Sequence, residues 1–236
     1  MERIACVITA AGSGKRMGSR IRKQFLPLQG APLLKWTFRA FLRFRWLHEI
    51  VLVVPAEEIQ FVRTEIVGRQ VYSMDVHIVP GAKERQDSVF RGLQAVHPDT
   101  DLVLIHDGVR PFVQPTLVER LIHQARASGA AIPGIPARDT LKQVQKQTIL
   151  RTVERQHIWQ VQTPQVFRFS LIFQLHQQAQ KEGFYTTDDA GLLEWQGRPV
   201  HIVPGDPYNI KITTPEDLQV AERLLSIYFP EETTTS

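Results

Sequence analysis

The stretch "TAAGSGKRMG" (residues 9–18) follows directly on the apolar run "IACVI" and sets Gly12 and Gly14 beside Lys15 and Arg16, with Lys23 a few residues on. Glycines let backbone N–H groups come close to an anion. Charge-assisted hydrogen bonds from basic side chains are roughly twice as strong as neutral ones. Together these residues suit a compound that carries several phosphate charges. Two common phosphate loops are nearly spelled here, and both fail. A P-loop requires a glycine five positions before Gly14 and a Ser or Thr after Lys15, where this chain has Thr9 and Arg16. The dinucleotide fingerprint requires a third glycine at position 17, which is Met.

Charge points the same way. Residues 1–48 hold ten Lys/Arg and one acid, whereas the rest of the chain holds 18 basic and 23 acidic groups, giving a net charge of +4. A basic segment around a glycine turn favours a polyanionic ligand. Nucleic acid is the rival reading, but there is no arginine-rich tract, zinc-finger spacing or aromatic stacking motif to support it. With 43% hydrophobic and 22% charged residues, the 236-residue chain reads as an ordinary globular protein. No apolar run approaches the roughly 18 residues of a membrane span. The first strand begins so near Met1 that no signal peptide is expected. The single cysteine, Cys6, reads as a small buried apolar side chain, and a reducing cytoplasm is the expected setting.

The elements that must position these groups follow from periodicity. Apolar, β-branched runs at 3–10, 49–55, 76–81, 101–107 and 129–135 read as strands, several of them apolar on both faces. Helical spacing recurs at 32–44, 57–67, 85–96 and 115–129; Pro115 suits a first turn and Gly129 a stop. The alternation predicts an α/β fold, a doubly wound and mostly parallel sheet, with ligands outside the carboxyl ends of the strands. Both the glycine loop and "HDGVRP" (106–111) fall at that edge. Further helices at 169–182, 188–196 and 215–229 and a strand at 199–205 follow, and no linker splits the chain: one domain over 1–229 is expected, with a disordered tail at 230–236.

Residues 138–155, "RDTLKQVQKQTILRTVER", differ from the rest. Their apolar positions are sparse and "QKQ" (145–147) suits a turn, so a protruding β-hairpin arm is expected. An amphipathic arm needs a partner for its apolar face, and a second copy of the chain is the simplest one.

"AAGSGKRMG" with "KQFLPLQGAPLL", "ERQDSV", "HDGVRP", "RDTLK", "TVER…W…QTPQ" and "NIKITTPEDL" together resemble the 2-C-methyl-D-erythritol 4-phosphate cytidylyltransferase family, from about residue 3 to residue 224. The resemblance implies a Rossmann-like nucleotidyltransferase fold. It implies transfer of CMP from CTP to a methylerythritol phosphate, with release of pyrophosphate. It places phosphate contacts on Gly12, Gly14, Arg16 and Lys23, with Lys211 completing the clamp, and gives Arg16, Lys23 and Lys211 the stabilisation of charge on the α-phosphate. It places the cytosine contacts on Ala10, Ala11, Ala82 and Ser88. Asp107 is implied to meet Mg²⁺ or the substrate, with Arg110 on the substrate side. Arg138, Asp139, Thr140, Arg155 and Thr163 match positions that bind the phosphosugar, Thr140 and Arg155 reaching the site of the other subunit of a homodimer.

The chemistry needs no proton shuttle, because a phosphate monoester is already ionised. His106 is therefore read as structural, and Asp188 of "TTDDA" as a helix cap. The chain departs from the family pattern at Thr9, at Arg22 and at Ala82, where a second glycine is usual; the added methyl fits only if φ stays negative. A ribitol-5-phosphate cytidylyltransferase shares several of these motifs. A non-catalytic nucleotide- or nucleic-acid-binding protein would explain the basic segment but not the set at 107–110, 138–163 and 211.

Overall fold

A computed structural model of the chain describes residues 2–12 and 21–230. Gly14, Arg16 and all but the first residue of the expected tail therefore lie outside the described residues. The strands with the strongest apolar runs form the middle of one sheet: β1 (Ile4–Thr9), then β4 (Glu49–Val54) and β6 (Leu102–Asp107) on its two sides, nearly every residue buried. Between β1 and β4 lie the two-residue strands β2 (Pro27–Leu28) and β3 (Ala31–Pro32), paired with each other, and helix α1 (Leu33–Leu42). After β4 come the short α2 (Ile59–Phe61), β5 (Asp75–Pro80) and α3 (Arg85–Gln94); after β6 come α4 (Pro115–Ser128) and β7 (Ala130–Pro136). The chain continues through β8 (Leu141–Gln145), β9 (Thr148–Val153), β10 (Trp159–Val161), β11 (Gln165–Arg168), α5 (Phe169–Glu182), α6 (Ala190–Trp195), β12 (His201–Pro204) and α7 (Pro215–Tyr228).

Strands β5, β4, β1 and β6 run parallel. β11 enters beside β6 in the opposite sense and links it to β7; β10 also pairs antiparallel with β7, and β12 pairs parallel with it. The sheet is thus mostly parallel, as expected, with an antiparallel insertion from the segment "WQVQTPQVF". One apolar layer packs α1, α4 and α7 on one face, and a second packs α3, α5 and α6 on the other. This is the doubly wound arrangement that apolar-on-both-faces strands demand.

Helix stops and starts follow local chemistry. α4 ends where Gly129 takes φ +83° and returns its amide to Ala125 O at 2.7 Å. α7 starts with a capping box between Thr214 and Asp217. The helix expected over 57–67 is corrected to a 3₁₀ turn (Ala56–Glu58), α2, and a π-turn (Val62–Val67). Stiff β-branched side chains at 62, 64, 66 and 67 disfavour a regular helix, and the Thr64 hydroxyl bonds back to Gln60 O and Phe61 O at 3.2 and 3.3 Å.

The arm is present as β8 and β9, which among the described residues pair only with each other. Its turn is Lys146–Gln147, with φ +45° and +65°; two positive φ values match the twist of an antiparallel hairpin. Among the described residues no helix is long and apolar enough to cross a membrane.

Candidate active site

At the carboxyl ends of β1 and β6 and the turn that follows β5 the chain leaves a cleft of about 200 Å³. It brings together residues far apart in sequence: Ala10, Ala11, Gly12, Lys23, Ala82, Ser88, Asp107 and Lys211, joined by Arg85. A larger cavity of about 930 Å³ opens at the opposite, amino end of the strands, around Arg3, Trp46 and Tyr72, and holds none of the expected site residues.

Each wall is set by backbone and buried amides. The buried Gln24 donates from Nε2 to Ala10 O (2.6 Å) and Gly12 O (3.1 Å), which fixes Lys23 beside the glycine turn. Gly81 lies so close to β1's extension that a Cβ there would sit 2.2 Å from Ala11 Cβ, so only glycine fits. Ala82 is not among the residues with positive φ, and its amide donates to Ser88 Oγ at 2.9 Å. The departure from glycine at 82 is therefore accommodated without strain. The Ser88 hydroxyl in turn lies 3.0 Å from Glu84 O, so it clamps the 82–84 turn while lining the cleft.

Asp107 ends β6 and gathers the cations. Lys211 Nζ lies 2.8 Å and Arg110 Nε 3.5 Å from Oδ2, and Arg85 Nε lies 3.7 Å from Oδ1. Burial pushes the Asp107 carboxyl up, but Lys211, Arg85 and Arg110 outweigh it and hold it well below the usual carboxylate range. Arg110 is lowered from the ordinary arginine value by burial, with Asp107 pulling the other way. Lys211 owes its place to its neighbours: Asn209 Nδ2 donates to Thr163 O at 2.8 Å, Asn209 O accepts from Arg110 at 2.7 Å, and Ile212 N bonds Val109 O at 3.0 Å.

His106 is fully buried, and both its nitrogens are used. Nε2 faces Arg110 O at 2.9 Å and Nδ1 faces Thr163 Oγ1 at 3.1 Å. A carbonyl can only accept, so Nε2 carries the proton and the Thr163 hydroxyl donates to Nδ1. The same hydroxyl accepts from the Asp107 amide at 3.1 Å. Burial holds the imidazole neutral, lowering its pKa to about 4. Thr163, expected on the phosphosugar, thus has its side chain committed inside the protein, where it fixes the end of β6.

Arg138, Asp139, Thr140 and Arg155 are all exposed at the root of the arm, where Arg155 donates to Arg138 O. None of them lines the cleft of its own chain. Asp188 accepts from Gly191 N at 3.2 Å, the expected helix-cap contact. Cys6 is buried, and burial pushes its thiol well above the ordinary value, away from any nucleophilic role. Sequence reasoning did not single out Arg85, Gln24 or Asn209. The one signal for Arg85 is a cation at the start of a helix, where the dipole favours anions.

A divalent cation can be tested against this donor set. Among the described residues no group of three or more His, Cys, Asp or Glu side chains could hold a metal. Asp107 nevertheless fits Mg²⁺, which takes one or two carboxylates and draws its remaining ligands from phosphates and water. It is ionised, and its Oδ1 is approached by Arg85 at the loose distance of 3.7 Å.

The chain is similar to known proteins over nearly its whole length. Residues 4–227 match the sequence profile of the family "2-C-methyl-D-erythritol 4-phosphate cytidylyltransferase". The enzyme of that name from Pelotomaculum thermopropionicum is 45% identical over 226 residues, 95% of each chain. That of Geotalea uraniireducens is 44% identical over 94% of this chain and 97% of its own. The crystal structure of 2-C-methyl-D-erythritol 4-phosphate cytidylyltransferase from Thermus thermophilus superposes with a TM-score of 0.77 at 36% identity, covering 95% of this chain and 98% of that one. The 4-diphosphocytidyl-2C-methyl-D-erythritol synthase of Anaerococcus prevotii gives 0.82 at 32% identity over 95% and 99%. The fold is thus the Rossmann-like nucleotidyltransferase fold, and the chain belongs to the 2-C-methyl-D-erythritol 4-phosphate cytidylyltransferase family.

Proposed function

We propose that the cleft transfers CMP from CTP to 2-C-methyl-D-erythritol 4-phosphate. An oxygen of the substrate phosphate attacks the α-phosphorus in line. The bond from that phosphorus to the β-phosphate bridging oxygen breaks, and pyrophosphate leaves with the electron pair. The product is 4-diphosphocytidyl-2-C-methyl-D-erythritol. Nucleophile and electrophile are both anionic, so the work is positioning and charge neutralisation. The observation that carries this reading is the cleft itself: four cations, Lys23, Lys83, Arg85 and Lys211, against two carboxylates, Glu84 and the buried Asp107, beside Ala10–Gly12 and the 82–84 turn.

Lys23 and Lys211 hold the α-phosphate from two sides, with Arg16 and Gly14 of the loop joining them as the resemblance assigns. Ala10, Ala11, Ala82 and Ser88 shape the base pocket. Asp107 orients Lys211 and Arg110 and is the residue that would hold a magnesium ion. That ion, when bound, lowers the repulsion between the two anionic reactants. The arm-root residues Arg138, Asp139, Thr140 and Arg155 serve the cleft of a second copy in a homodimer. Their exposure and their absence from their own cleft support this, as do the uncovered Val144, Ile149 and Leu150 of the arm, each more than half exposed.

The test is pyrophosphate release by the purified protein with Mg²⁺ and CTP, given methylerythritol phosphate or ribitol 5-phosphate in parallel. Release that depends on methylerythritol phosphate and CTP is expected. Release only with ribitol 5-phosphate would overturn the acceptor assignment, and silence with both would overturn the activity. Thr140→Val and Arg155→Ala should raise KM for the phosphosugar, while CTP binding by calorimetry stays close to wild type. Equal loss of both would sink the division of labour.

A further inference from the structure

Arg85 is held from behind by a buried pair that no step of the reaction above uses. Its terminal nitrogen lies 2.9 Å from Asp189 Oδ2, and Asp189 Oδ1 lies 3.2 Å from His176 Nε2. Asp189 and His176 are each 1% exposed, and the His176 ring stacks parallel on Phe90 at 5.9 Å. Burial pushes the Asp189 carboxyl up, but Arg85 and His176 outweigh it and lower it. From the front, Arg85 Nε faces Asp107 Oδ1, so a continuous line of polar and charged groups runs from the middle of α5 through the start of α6 to the start of α3 and the end of β6.

Three observations set this line apart from ordinary packing. Replacing a buried ionic group by apolar residues is often neutral or stabilising, so such a group is a poor way to gain stability. Arg85 is the first residue of α3, where the helix dipole opposes a cation, and the helix has no side-chain cap beside it. Asp189 stands at the N-cap position of α6 yet makes no cap bond with its side chain. Its neighbour Asp188 accepts from Gly191 N and from Gln165 Nε2 (2.7 Å) instead, leaving Asp189 to turn inward. Helix α3 thus starts on an unfavourable charge that faces Asp189, while Asp188 and Gln165 serve the start of α6 and leave the Asp189 carboxylate turned toward Arg85.

We propose that His176 and Asp189 are positioning residues for the transfer reaction. They act through Arg85, whose charge stands 3.7 Å from Asp107 Oδ1 on the α3 face while Lys211 and Arg110 take Oδ2 from the other side. The carboxylate thus has cations on both faces of the sheet, with Oδ1 in loose contact only, and the α5–α6 layer bears on the angle at which Lys211 meets the phosphates. This inference rests on the transfer reading above and adds residues that do not line the cleft.

The test is steady-state kinetics with CTP and methylerythritol phosphate on wild type, His176→Phe, Arg85→Lys and their double variant, alongside thermal melts. His176→Phe keeps an aromatic ring on Phe90 and removes the nitrogens; Arg85→Lys keeps the charge but not the span between two carboxylates. A small misplacement of a reacting geometry costs about 10- to 100-fold, so kcat of H176F should fall on that scale with KM for CTP within about twofold. The double variant should be no worse than R85K. Asp189→Asn, the same size without the charge, should behave as H176F does. Unchanged kcat in folded H176F, or losses that multiply in the double variant, would overturn the proposal and leave the transfer reading intact. A wild type that releases no pyrophosphate would overturn both.

Discussion

His106 stands one residue from Asp107, yet its two ring nitrogens are spent on Arg110 O and the Thr163 hydroxyl. Its pKa of about 4 lies below the ordinary histidine value, so the unfolded chain takes up a proton between roughly pH 6.5 and 4 that the folded protein refuses. The unfolded state binds more protons there, so stability is full above that window and falls as pH drops through it, by up to about 3 kcal/mol. Asp107 and Asp189 work in the same direction at lower pH: both are lowered, so their contributions fade only below the ordinary carboxylate value. His106→Gln keeps a donor for Arg110 O and removes the titration. Melting temperatures between pH 7 and 4 should fall for wild type and be nearly flat for H106Q. A wild-type slope that survives in H106Q would show that another group titrates. The places of single residues were legible where a motif named them, as with Lys211 and Asp107, which meet in the cleft. Arg85, Asp189 and His176 were not, because the Arg85–Asp189 contact joins positions about a hundred residues apart and leaves no local pattern. Thr163 shows the converse: its motif assigns it to the substrate, while its hydroxyl works inward to hold His106 and the Asp107 amide.

Helix α3 is the element on which the site depends most. It carries Arg85 at its start and Ser88 one turn on, and it lies unusually close to the sheet at Gly92. A Cβ at Gly92 would meet Val7 Cγ1 at 2.4 Å and Val53 Cγ2 at 2.8 Å, both on fully buried β-branched side chains that cannot swing away. Gly92→Ala gains helix propensity but overpacks this contact, which typically costs about 1–3 kcal/mol. The melting temperature should drop by several degrees. A helix pushed off the sheet at Gly92 carries Arg85 and Ser88 with it, so kcat measured on folded protein should drop as well. An unchanged melt would mean that the layers are looser than this spacing implies. Regular elements such as α3, α5 and the central strands were legible in the sequence because burial on one or both faces writes a period into it. The irregular ones were not: the 56–67 turn loses its helix to β-branching, and β10 and β11 are too short to show a period. Their antiparallel direction is decided by pairing with β6 and β7, which no local spacing encodes.

At the scale of the whole molecule, one chain presents a cleft at one place and the arm-root residues at another. The arm is a two-stranded sheet on its own, and such a hairpin is marginally stable in water. It exposes Val144, Ile149 and Leu150 near its turn, an apolar set that a second copy would cover in the proposed dimer. If each arm completes the other chain's cleft, two variants silent at a methylerythritol phosphate concentration far below the raised KM of Arg155→Ala must rescue one another. Lys211→Ala disables the cleft side, and Arg155→Ala the arm side. In a hybrid dimer, one site would combine an intact cleft with an intact arm, while the other would carry both lesions. Random exchange makes half of the dimers hybrids, each with one working site, so an equal mixture should regain about a quarter of wild-type activity. Changing Val144, Ile149 and Leu150 to Ser should leave the circular dichroism spectrum in place, yield a monomer in sedimentation, and abolish that rescue when introduced into both partners. Arms that served their own chains would give a mixture as silent as its parents, because every site would then carry one lesion or the other.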